Sequence, residues 1–147
     1  MQIQEKDYYH GAALTQITED PSFTALNKAD AKYGHYIINN NIRLLVKHTK
    51  NNVSPWYFTL QPDDLLTIST DAQLGFRTFL CLTCGLHTIC ILSSNQLAQA
   101  ADLTSNKALR ISVSCAKSGF SMKVKGPIGE IKGKIPHTAF PSVLFDE

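Results

Sequence analysis

Apolar positions recur along the chain at two spacings, and each spacing predicts an element. Over residues 8–18, Ala13, Leu14 and Ile17 fall on one face at helical spacing. Asp7 stands where an N-cap belongs and Pro21 bars continuation, so a short helix is expected there. Residues 23–26 read as a short extended piece. Gly34 to Ile38 favours β structure and is followed by Asn39, Asn40 and Asn41, whose side chains tolerate left-handed backbone, so a hairpin turn is expected. Ile42 to Thr49 is the return strand, with Ile42, Leu44 and Val46 on one face and Arg43, Leu45, Lys47 and Thr49 on the other. Residues 55–60 form a third strand with Trp56, Phe58 and Leu60 on its buried face.

Pro62 followed by Asp63 and Asp64 opens a helix that should end near Asp71. Arg77 to Cys84 reads as a buried strand, with Thr88 to Leu92 as its hairpin partner. Ser93 and Gln96 have the spacing of a capping box and open a helix through about Leu103. Leu109 to Ser114 and Phe120 to Lys125 alternate as strands, with Met122 and Val124 inward and Lys123 and Lys125 outward. Ile128, Ile131 and Ile135 are anchors in a glycine-spaced stretch, and the tail, Phe140 to Phe145, is apolar enough to pack down. This order predicts one domain over residues 1–147 of α/β (α+β) class, with helices packed against a mixed, largely antiparallel central sheet.

Composition sets the bounds. The chain has 147 residues, 44% of them hydrophobic, which is enough apolar material for a core. No apolar run approaches the ~20 residues of a membrane span. The first seven residues lack a basic segment followed by an apolar one. A cytoplasmic protein without a membrane partner is expected. The net charge of +2 hides a gradient. Residues 1–76 carry eight acids and six bases, whereas residues 107–134 carry seven bases (Lys107, Arg110, Lys117, Lys123, Lys125, Lys132 and Lys134) against Glu130 alone. Such a basic third is a footprint for phosphate-bearing partners, or a solvated face that maintains solubility.

The four cysteines are Cys81, Cys84, Cys90 and Cys115. Without an export signal they are expected to be free thiols, mostly buried as small apolar groups. Cys81, Cys84, His87 and Cys90 have the spacing of metal ligands. On a strand, however, Cys81 and Cys84 point to opposite faces and cannot share an ion; only Cys84, His87 and Cys90 could converge around Gly85. His10 reads either as a proton-transfer group in a cleft or as a buried or capping histidine. No phosphate-binding glycine loop, zinc-protease or serine-hydrolase motif occurs.

The order of a helix, three strands, a helix and a buried strand over residues 8–84 resembles the core of restriction-endonuclease-like domains. That resemblance implies a carboxylate on the second strand and an acid-x-Lys on the third, holding a magnesium ion that activates water. With Ile42 to Thr49 as the third strand, Leu45-Val46-Lys47 occupies the acid-x-Lys position. Lys47 matches, but Leu45 cannot bind magnesium and the strand before it has no acid. With residues 55–60 as the third strand, neither acid nor lysine is present. A second resemblance lies in Tyr9-His10-Gly11-Ala12-Ala13-Leu14-Thr15-Gln16-Ile17, Ser54-Pro55-Trp56-Tyr57-Phe58-Thr59, Cys84-Gly85, Ile135-Pro136-His137 and Phe140-Pro141. These segments are similar to a family of small bacterial proteins and carry no catalytic residue across.

The expected function is therefore association with DNA or RNA, on a restriction-endonuclease-like architecture without a standard two-acid metal site. The candidate phosphate contacts are Arg43, Lys47, Lys123, Lys125, Lys132 and Lys134. No cofactor is expected, and magnesium only if the protein is a metal-dependent nuclease. The alternative is a non-catalytic subunit that binds a protein partner or a second copy through an exposed tail, Phe140 to Phe145, or a free sheet edge.

Overall fold

The computed structural model describes residues 1–116 and 119–146. Among the described residues three α-helices, α1 (Glu5–Thr18), α2 (Pro62–Gln73) and α3 (Ser94–Ala100), pack on nine strands. The strands are β1 (Leu26–Lys28), β2 (His35–Ile38), β3 (Ile42–Thr49), β4 (Trp56–Leu60), β5 (Arg77–Cys84), β6 (Thr88–Ser93), β7 (Leu109–Cys115), β8 (Ser121–Lys125) and β9 (Ile135–Pro136). The class is α+β, as the order of elements predicts. The strands divide into two sheets rather than one: β1-β2-β3-β5-β6 and β4-β7-β8-β9.

The division has a simple cause. A strand has two edges, and β3 uses both. It pairs antiparallel with β2 on one side and parallel with β5 on the other, through eight partners from Ile42↔Arg77 to Thr49↔Cys84. The strand after β3 in sequence, β4, has no edge left there and pairs with β7 instead. The chain then crosses back through α2 to place β5, so α2 connects the two sheets. The meander preceding α2 is consequently β1-β2-β3, with Leu26–Lys28 as its first strand, and Ile42–Thr49 is the third strand of the order.

Sheet one is buried on both faces. Ile42, Leu44, Val46, Phe79 and Cys81 face α1 through Ala13 and Ile17, joined by Phe140 and Leu144 from the C-terminal segment. Leu45, Leu80, Leu82 and Cys84 face the other way, onto Leu65 and Ile68 of α2, Leu97 of α3, and the inner face of sheet two. That inner face is Trp56, Phe58, Leu60, Ile111, Val113, Met122 and Val124. Cys81 and Cys84 thus lie in different cores, as strand alternation requires. Residues 140–145 lie against sheet one, where the Arg77 guanidinium donates to the Val143 and Leu144 carbonyls. Phe140 and Leu144 are buried, so this apolar segment is part of the core and does not present the docking surface expected of an exposed tail. No described helix is long and apolar enough to cross a membrane.

Local signals explain most boundaries. Asn39 and Asn40 take φ of 51° and 69° in the β2–β3 turn. The Ser93–Gln96 box forms in both directions, at 3.1 and 2.9 Å. It opens α3, which ends at Ala100 rather than near Leu103. α1 begins three residues earlier than residue 8, because Gln4 is the N-cap and Asp7, at N3, accepts the Gln4 amide at 2.8 Å. Ile131 and Ile135 anchor the segment before β9, whereas Ile128 is exposed.

Two of the glycines with left-handed backbone have it for different reasons. Gly75 (φ 88°) follows the end of α2 in open space. Gly85 (φ 56°) turns β5 into β6 against the β3–β4 loop, where a Cβ would lie 2.3 Å from the Asn51 carbonyl oxygen. The contact is fixed from several directions. The Gly85 amide donates to Thr49 O, the Leu86 amide to Asn52 Oδ1 and the Trp56 indole to Asn51 O, all at 2.8 Å. Gly75→Ala should therefore cost about 1 kcal/mol of backbone strain. Gly85→Ala should cost roughly 3 kcal/mol, because backbone must also move. Urea unfolding of the two variants reads the difference, and equal costs would show that the loop contact at Gly85 is unimportant.

Candidate nucleic-acid interface and the charged groups around it

The six candidate cations fall into two groups on different sheets. Arg43 and Lys47 lie on the face of β3 covered by α2. Asp64 and Asp71 are seven residues apart on α2, on the same face as Leu65 and Ile68, and both are buried. Asp64 accepts from Lys47 Nζ at 3.1 Å and from Lys32 Nζ at 2.9 Å, while Lys32 also bonds Asp63. Asp64 further caps its own helix by accepting the Gln61 amide at 2.9 Å. Asp71 meets His35 Nε2 at 2.6 Å and Arg43 Nη1 at 3.4 Å, and His35 Nδ1 meets Asp30 at 3.1 Å. The Arg43 guanidinium also lies 4.0 Å from the Phe76 ring centre. Arg43 and Lys47 therefore anchor α2 on sheet one, whereas Lys123 and Lys125 lie on sheet two. Burial pushes the Asp64 carboxyl up, but the hydrogen bonds from Lys32 and Gln61 and the charge of Lys47 outweigh it and leave the group below its ordinary value.

Beside this network a cleft of about 340 Å³ is lined by Lys6, His10, Lys32, Tyr33, Lys47 and His48, among others. Tyr9 stacks on His48 at 4.8 Å, Lys6 lies over Tyr33, and His10 packs on Tyr33 and edge-on to His48. His10 is buried and its Nδ1 has no partner. Among the two readings of His10 from sequence, its place is that of a buried imidazole at a cleft wall.

The second group sits on the outer face of sheet two. Strand alternation turns Tyr57 and Thr59 of β4, Arg110, Ser112 and Ser114 of β7, and Lys123 and Lys125 of β8 away from the core. Register places Thr59 opposite Arg110, Ser112 between Tyr57 and Lys125, and Ser114 opposite Lys123. The Arg110 guanidinium lies 4.0 Å from the Tyr57 ring centre, and Tyr57 is 47% exposed. None of these outward residues is acidic. Lys132 and Lys134 are exposed on the segment between β8 and β9. Lys117 lies outside the described residues. Every ion pair among the described residues falls within residues 5–71, so none involves Arg110, Lys123, Lys125, Lys132 or Lys134.

Tyr57 and Arg110 also belong to this face, and Arg110 is one of the seven bases of the basic third. The signal was present: alternation that sends Trp56 and Phe58 inward sends Tyr57 outward, and the same rule exposes Arg110. Around Gly85, Cys84 and Cys90 are buried in the core between the sheets, whereas His87 packs on Trp56 at 5.4 Å between ring centres. No family model, curated protein or solved structure matches this chain.

The buried histidine makes stability depend on pH. Burial lowers the His10 imidazole, and the charges of His48, Lys47 and Lys6 lower it further against Asp7, to about 4. The unfolded chain then binds a proton that the folded one does not between its ordinary 6.5 and about 4, so stability rises with pH across that window. Asp64 acts in a separate window: its contribution is present above 3.8 and is lost as pH falls below that value. The expected His10 effect is on the order of 2–3 kcal/mol. Urea midpoints measured from neutral pH down to about 4 should fall in the parent and much less in His10→Phe. Parallel curves would show that His10 is protonated in the fold.

Proposed function

We propose that the protein binds nucleic acid along the outer face of sheet two, with Arg110, Lys123 and Lys125 contacting phosphates and Tyr57 offering a ring for a base. The observation that carries this reading is a face on which cations that form no ion pair among the described residues surround an exposed aromatic side chain, with Glu130, bridged to Lys125, as the acid at its edge. Cations of this kind release counterions when they meet a phosphate chain. A ring already stacked under a guanidinium offers the platform used by proteins that hold single strands. Lys132 and Lys134 extend the same field beyond the end of β8.

Apart from β4, which precedes α2 and joins the other sheet, the order of α1, three antiparallel strands, the α2 crossover and the parallel strand β5 supports a restriction-endonuclease-like architecture for this protein. The positions that would hold magnesium in such a domain do not fit the ion. Leu45 is apolar and buried, its cross-strand partner on β2 is His35, and Lys47 is engaged by Asp64. The reading is accordingly one of binding, with no hydrolytic step.

Fluorescence anisotropy with a labelled single strand and a labelled duplex, over a salt series, tests this. Three phosphate contacts on a single strand give a log–log slope of about −2. Lys123→Glu with Lys125→Glu should flatten that slope by about 1.4. Tyr57→Ala should weaken single-strand binding by about tenfold and duplex binding less. Lys47→Ala should leave the slope in place. Absence of binding at low salt, or a slope that survives the double substitution, overturns the assignment.

A further inference from the structure

The inner face of sheet two ends in a feature that nucleic-acid binding does not use. Cys115 is the last residue of β7, and its register partner is the buried Met122, so its side chain points inward. His137 begins the short helical turn after β9, with its amide held by Phe120 O at 3.0 Å. Thr88 is the first residue of β6. The Cys115 Sγ lies 3.4 Å from His137 Nε2, and His137 Nδ1 lies 2.6 Å from Thr88 Oγ1. With Nδ1–H donated to the threonine hydroxyl, Nε2 presents its lone pair to the thiol. This is the arrangement of nucleophile, base and orienting group that activates a thiol.

The thiol also has room before it. Cys115 lines a cavity of about 460 Å³ together with Val53, Ser54, Trp56, His87 and Ala116. That size suits a small molecule. Val53, Trp56 and Ala116 give its wall apolar surface for the acyl part of a small ester. His87, edge-on to His137 at 6.2 Å, supplies a polar group on the wall. The other three thiols lie in the cores, where burial raises each above its ordinary value, Cys84 to about 12. Cys115 alone is half-buried.

We propose that Cys115 is a nucleophile, with His137 as its base and Thr88 as a positioning residue, and that the cavity accepts a small acyl ester or thioester. In the step, Sγ bonds to the carbonyl carbon as its proton passes to His137 Nε2. The bond from that carbon to the leaving oxygen or sulfur then breaks, and the leaving atom takes the proton from Nε2. The products are an acyl thioester on Cys115 and a free alcohol or thiol, with no change of oxidation state. This assignment is independent of the basic outer face.

p-Nitrophenyl acetate is the probe, with nitrophenol release followed at neutral pH and the acetyl group located by peptide mass. The expected result is a burst approaching one equivalent, with acetyl on Cys115 and none on Cys81, Cys84 or Cys90. His137→Ala should slow the burst at least about tenfold, and added imidazole should restore part of it. Thr88→Val should slow it and Thr88→Ser should recover it, which separates positioning from mere packing. Circular dichroism of each variant checks that the fold persists. Acetylation of Cys115 no faster than that of a peptide containing it, or at the same rate in folded His137→Ala, overturns the proposal. If His137→Ala fails to fold, Thr88→Val decides: an unchanged burst rate overturns it equally.

Discussion

Two carboxylates on one face of α2 hold the architecture together. A buried carboxylate without a partner is costly, and removing one member of a buried pair costs about 3–5 kcal/mol. Asp64 and Asp71 can therefore be buried only if sheet one brings hydrogen-bond donors to meet them. It does so from three places: Lys47 and Arg43 on β3, His35 on β2, and Lys32 in the turn before β2. Since α2 leads from a strand of sheet two into a strand of sheet one, pinning it fixes the relation of the two sheets. The leucine and isoleucine on the same helix face supply burial. The ion pairs supply position, because each is satisfied at one placement of the helix.

This anchoring explains why half of the charge pattern is silent and half is not. The chain's acids are concentrated in its first half, and Lys32, Arg43, Lys47 and Lys50 of that half pair with them. The later cations have Glu130 as their near neighbour in sequence, and it meets Lys125 through a backbone bridge. Their field is consequently turned outward. The same gradient is visible in the sequence, but a sum of charges cannot say which cations are spent. Arg43 and Lys47 share a strand face with Leu45, and a strand face reads alike whether solvent or a helix covers it.

What the sequence made legible follows the range of the interactions involved. β3 and β5 appear at their observed limits because apolar runs and turn residues delimit them locally. The Ser93–Gln96 box and the asparagine turn are local as well. The partition into two sheets was not legible, since it depends on which strand takes the second edge of β3. β5, apolar on both faces, gains more from that central place than β4, whose alternate residues prefer water. The start of α1 was misplaced for a local reason: glutamine seldom signals an N-cap, and Asp7 reads as the cap when it is the N3 partner. The thiol and its histidine are 22 residues apart and meet only because β7, β8 and β9 pair in sequence.

Both candidate surfaces depend on the register of a single strand. β7 presents Arg110, Ser112 and Ser114 outward and Ile111, Val113 and Cys115 inward, so one side of it faces solvent and the other the core and the cavity. Shifting its pairing by one residue would exchange the two sets. Hydrophobic burial prevents the exchange: Ile111 and Val113 are fully buried between Phe58, Trp56 and Val124, and their removal to solvent would cost about 1.5–3 kcal/mol each. The apolar alternation that builds the core of sheet two thus also decides which way a cation and a thiol point, and it does so with no interaction between the two surfaces themselves.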